Sequence, residues 1–89
     1  MPTSPKPQKP RPVHTERIGA VSASIWPNSG GDGRTFYSIT FERMYRDGNE
    51  TKNTTSFNHD DLLNVAKVCE RAEAWIAAKT AENRARAAA

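Results

Sequence analysis

A chain of 89 residues with 13 Lys and Arg against 10 Asp and Glu, net charge +3, can form one small domain that buries little of its surface, so association into a dimer is expected to aid stability. Its single cysteine, Cys69, excludes an internal disulfide framework and cannot alone make a zinc site, which fits a reducing compartment. The sequence has no apolar run of membrane-spanning length and no apolar signal core near its start, so a cytoplasmic chain without membrane contact is expected.

The first seventeen residues hold Lys6, Lys9, Arg11 and Arg17 against Glu16, whereas acids and bases balance in the rest of the chain. The segment MPTSPKPQKPRP is proline-rich and almost without large apolar side chains, so burial cannot offset the entropy of ordering it. Residues 1–14 are therefore expected to be a disordered basic arm. Such an arm suits contact with nucleic acid and equally suits a solubilising leader.

From Arg17 to Trp26, Val21, Ala23 and Ile25 alternate with Ser22, Ser24 and Trp26, the period of a strand with one covered face. PNSGGDG, residues 27–33, reads as a hairpin loop. A second strand follows from about Arg34 to Arg46, then an Asp-Gly turn and a third strand through TKNTTSF. Asn58 is placed to cap a helix, with Asp61 completing a capping box and Phe57 and Leu62 spaced as a hydrophobic staple. Leu62, Val65, Ala66, Cys69, Ala72 and Ile76 form one apolar stripe, flanked by Leu63, Val68 and Trp75. That stripe is wider than one small sheet face covers, which predicts a second subunit near Val68 and Trp75. Residues 79–89 are expected to fray without a core contact. The fold class is α+β, an antiparallel meander of three to four strands and one long C-terminal helix, with residues 15–78 as the domain.

If Val21, Ala23, Ile25, Ile39, Phe41 and Phe57 face the helix, parity turns Ser22, Ser24, Trp26, Phe36, Ser38, Thr40, Met44, Arg46, Lys52, Thr54 and Ser56 outward. Rings, hydroxyls and a few cations suit single-stranded nucleic acid, which offers flat bases to stack and phosphates to bind. The same face also suits a cross-strand aromatic pair or a protein contact. Arg43, Tyr45 and Arg46 close the best strand where it leaves the helix, either as a stacking and phosphate-binding ridge or as a charged edge. The candidate nucleic-acid-binding residues are Trp26, Arg34, Phe36, Arg43, Tyr45, Arg46 and Lys52.

The stretch YSITFERMYRDGNETKNTTSFNHDDLLNVAKV, residues 37–68, resembles the strand, turn, strand and helix of the single-stranded-DNA-binding transcriptional coactivators called positive cofactor four, a plan related to the Pur-alpha and Whirly proteins. The resemblance implies a dimer of curved four-stranded sheets backed by helices, with single-stranded DNA favoured over RNA as ligand. It puts Tyr45 at a base-stacking aromatic and Lys52 at the first of a basic pair. Asn53 stands at the second position of that pair, and Glu42 replaces a basic residue. Tyr45 shares parity with the helix-facing residues, so its exposure requires a bulge, a twist or a projection past the helix. The family's fourth strand requires the first to split near Gly19.

No catalytic constellation emerges. His14 falls in the arm, and about ten residues, roughly 15 Å of helix, separate Cys69 from His59. His59, Asp60 and Asp61 point apart on a helix, and the acids suit its N-terminus, so a metal is not expected. Asn49 and Asn53 match the glycosylation pattern without a secretory signal. The expectation is a non-enzymatic protein without cofactor or small-molecule substrate. It binds single-stranded nucleic acid in transcription, replication or repair, or else docks a protein partner on its sheet face.

Overall fold

The computed structural model describes residues 11–88; the expectation of disorder for the start of the arm lies outside them. Strands β1 (His14–Ile18), β2 (Val21–Ser29), β3 (Thr35–Asp47) and β4 (Glu50–Thr54) form one antiparallel sheet in the order β1-β2-β3-β4. A 3-10 turn, His59–Asp61, leads into helix α1, Leu62–Ala88. The α+β meander with a C-terminal helix is the architecture expected.

The fourth strand comes from a split at Gly19. Its φ of +59° is open to glycine at little cost, and it lets Ile18 pair with Val21 across a two-residue turn. His14 therefore lies in β1, not in a disordered arm, and its ring stacks on Trp75 at 5.0 Å.

Strand β2 also runs past Pro27, where a loop was expected. Even residues of β2 turn their backbone groups toward β3, as Ala20 does in accepting from the Met44 N–H, whereas the Ile25 carbonyl accepts from Val13 on the other side. Pro27 has the parity of Ile25. Its missing N–H would point beyond the start of β1, whose pairing begins at His14 opposite Ile25, so no ladder bond is lost.

Val21, Ala23, Ile25, Val68 and Ala72 are the buried core. Helix α1 lies across β1 and β2, and the slim Val68 and Ala72 let it approach the three β2 side chains. The apolar stripe is thus turned from the one expected. Leu62 and Leu63 are 54% and 81% exposed and Cys69 is exposed, while Val68 is fully buried within its own chain and Trp75 packs edge-on against Tyr37. Val68 is therefore not free to form the subunit contact expected near it, whereas Trp75, half-buried, keeps part of its surface open. A broad stripe does not specify which of its sides meets the sheet; the small residues decide it here.

At the start of the helix the Asn58 N–H donates to Asp61 Oδ2 at 2.8 Å and the Asp61 N–H donates back to the Asn58 carbonyl at 2.9 Å. The first bond is the acid's half of the expected box and the second closes the 3-10 turn, without much help from the exposed Leu62. The helix runs unbroken to Ala88. Asn83 Nδ2 donates to Tyr37 Oη at 3.4 Å, so the C-terminal turns do contact the sheet.

Candidate nucleic-acid interface

The register assigns each candidate to a face. Opposite partners in an antiparallel pair share a face, and Trp26 pairs with Ser38, Ser24 with Thr40 and Asn28 with Phe36. These side chains point away from the helix, and among the described residues no element packs over them. Phe36 is 55% exposed. Trp26 Nε1 donates to Thr40 Oγ1 at 2.8 Å. Thr40 stands two residues along β3 from Ser38, so this bond draws the indole diagonally over β3, among Ser24, Ser38 and Thr40. Lying against these side chains, Trp26 is half-buried, with the rest of its surface open to solvent. Asn28 braces the same patch, donating to Ser38 Oγ at 3.0 Å and the Trp26 carbonyl at 3.4 Å.

Arg46, opposite Thr51, and Arg17, opposite Ser22, lie on this outer face as well. Neither forms an ion pair among the described residues. Arg17 and Asn28 were not among the sequence candidates. Arg17 has the parity of Val21 in an unbroken strand and reaches the outer face only through the turn at Gly19, and Asn28 counts with the loop until β2 is carried past Pro27.

The remaining candidates lie elsewhere. Arg43 pairs with Thr54 and Tyr45 with Lys52, so all four have the parity of Ile39 and Phe41 and belong to the helix side. This corrects the outward placing of Lys52 and Thr54. The tight turn at Gly48 and Asn49 sets Asp47 opposite Glu50 and so fixes the parity of β4. Phe57 reaches the core from the connection after β4 ends at Thr54. Its inward position therefore says nothing about β4.

Tyr45 keeps 38% exposure by projecting past the helix start, the projection that its parity required. Arg43 does not join it as a free cation. Its Nε donates to the Ser56 carbonyl at 3.0 Å and lies 3.3 Å from Asp61 Oδ2, with 18% of its side chain exposed; its guanidinium carbon is 5.9 Å from the Tyr45 ring centre. Lys52 Nζ pairs with Asp47 at 2.9 Å and Glu50 at 3.8 Å. Arg34, in the β2–β3 loop, pairs with Asp32 at 3.3 Å. The expected ridge is therefore divided: Arg46 sides with Trp26 and Phe36, while Arg43 braces the helix start.

No family model, curated protein or solved structure matches this chain. Among the described residues no helix is long and apolar enough to cross a membrane.

Proposed function

We propose that the uncovered sheet face binds single-stranded nucleic acid. The observation that carries this reading is that exposed Phe36 and an indole tethered by Thr40 share one outer face with the small hydroxyls of Ser24, Ser38 and Thr40, where among the described residues the one acid is Glu42, opposite Ser22. Unpaired bases stack on such rings whatever their sequence, each contributing about 1–3 kcal/mol. Serine and threonine hydroxyls supply donors for phosphate and sugar oxygens, and Arg17 and Arg46 supply charge. The resemblance of residues 37–68 to positive cofactor four favours DNA over RNA and a role in transcription, replication or repair.

A second reading has support of its own. Acids engage Arg34, Arg43 and Lys52, which reduces the free positive charge and favours a sheet face that docks a protein partner.

Titration of a labelled oligothymidine and a duplex of equal length, at two salt concentrations, separates the two. The nucleic-acid reading expects tighter single-strand binding, weakened by Trp26→Ala and by Phe36→Ala by about 1–3 kcal/mol each with little change in salt slope. Equal affinity for both ligands and wild-type behaviour of both variants would refute it in favour of protein docking.

A further inference from the structure

Strand β3 is longer than its neighbours can serve. Strand β2 pairs with Thr35 to Arg43, and β4 pairs only with Arg43 to Asp47 on the other edge. Along residues 35–42 that second edge has no partner strand among the described residues. Backbone direction identifies the groups left open. The Met44 N–H and the Arg34 carbonyl bond toward β2, so even residues of β3 face β2 and odd residues face the other way. The N–H and C=O of Tyr37, Ile39 and Phe41 therefore point out of the free edge.

The same three residues carry the unfinished part of the inner face. Helix α1 covers β1 and β2, leaving Ile39 and Phe41 only half-buried beside an open groove of about 190 Å³ that Cys69, Ala72, Glu73 and Ile76 complete. Natural edges are blunted by lysine, proline, bulges or short length. TFYSITFE, residues 35–42, has no lysine or proline and pairs with β2 without a bulge; its one charge is Glu42, at its end.

We infer that this edge pairs with the same edge of a second copy of the chain, antiparallel about a two-fold axis at Ile39. With Ile39 opposite its own counterpart, Tyr37 of each copy faces Phe41 of the other. All three pairs join odd residues, so each exchanges both its N–H and its C=O, and every open group from Tyr37 to Phe41 is satisfied. Parity is kept as well: tyrosine, isoleucine and phenylalanine meet on the inner face beside both grooves, while Ser38 meets Thr40 on the outer face. A shift by one residue would set odd residues against even ones, mixing the two faces and losing the exchange. A second copy satisfies both the backbone and the side-chain pattern of this edge, and its symmetry repeats each contact. The two outer faces then become one surface carrying both aromatic platforms. The pairing itself does not rest on the nucleic-acid reading.

The test uses the full chain with Cys69→Ser and one added cysteine, either Ser38→Cys or Thr40→Cys. Both positions are exposed and outside the core. Opposite residues in a non-hydrogen-bonded antiparallel pair lie about 4.5 Å apart at Cα, within disulfide range. Mixing the two variants under glutathione oxidation is expected to give a disulfide-linked heterodimer in several-fold excess over either variant alone. Wild-type protein at about 100 µM, a concentration that populates even weak pairs, is expected to sediment at twice the mass of one chain. No excess of mixed disulfide, or a monomer that leaves this edge to a foreign extended strand, would overturn the pairing. Oligothymidine binding by a stable monomer would overturn it while leaving the nucleic-acid reading intact. A wild-type dimer that binds no oligonucleotide would support it while removing that reading.

Discussion

Replacing Arg43 by alanine separates its two possible roles, because a phosphate contact and a structural brace fail in different assays. The guanidinium donates to the Ser56 carbonyl at 3.0 Å and lies 3.3 Å from Asp61, with both charged side chains less than one-fifth exposed. A hydrogen bond from a charged donor contributes about 1.5–3 kcal/mol. A pair this sheltered falls between an exposed ion pair, worth up to about 1 kcal/mol, and a buried one, whose breakage costs about 3–5 kcal/mol. Because the same nitrogen serves both partners, the contributions overlap, and a loss of about 2 kcal/mol is expected. In a domain of this size that lowers the melting temperature by roughly 8–16 °C. Urea unfolding followed by tryptophan fluorescence measures it, and a double-mutant cycle with Asp61→Asn should recover a coupling of about 1 kcal/mol. Single-strand affinity, measured where the variant stays folded, should keep its salt slope. Stability within about 0.5 kcal/mol of wild type, together with a slope reduced by about 0.7, would refute the brace and return Arg43 to a phosphate site.

The orientation of α1 is tested by two truncations. Val68→Ala removes two buried methyl groups and should cost about 2 kcal/mol, whereas Leu63→Ala, at a position 81% exposed, should stay within about 0.5 kcal/mol; the reverse order in urea unfolding would mean that the helix presents its other side. At the β1–β2 turn, Gly19→Ala must hold φ at +59° with its Cβ 3.2 Å from Asn64 Nδ2, so a loss of about 1–2 kcal/mol is expected. An unchanged melting temperature would show that the turn does not require glycine.

Periodicity made the elements legible because the residues that set it were themselves near the core. Val21, Ala23 and Ile25 alternate and are all fully buried, and Asn58 and Asp61 close the helix start as their spacing implied. Trp26 and Phe36 were likewise recognisable from parity. Positions governed by partners distant in sequence were not. Lys52 changed sides because a two-residue turn, not its own neighbours, sets the register of β4. Arg43 resembled a free cation until Ser56 and Asp61, well downstream, came within reach of it. His14 looked like part of a polar arm because its stacking partner, Trp75, is sixty-one residues away.

The stagger of the sheet connects these observations. Arg43 is the residue at which β3 changes neighbours, pairing with Val21 on one side and Thr54 on the other. On one side of it the β3–β4 ribbon runs beyond β2, which exposes Tyr45 and leaves Arg46 clear of the rings. On the other side β3 runs beyond β4, which opens the edge from Tyr37 to Phe41. A thirteen-residue strand between neighbours of nine and five must leave backbone unpaired whichever way they slide. What the slide decides is where, and the brace from Arg43 to Asp61 holds the helix start at that junction. Loosening the brace should therefore disturb the ribbon and the free edge together, although neither surface contains Asp61.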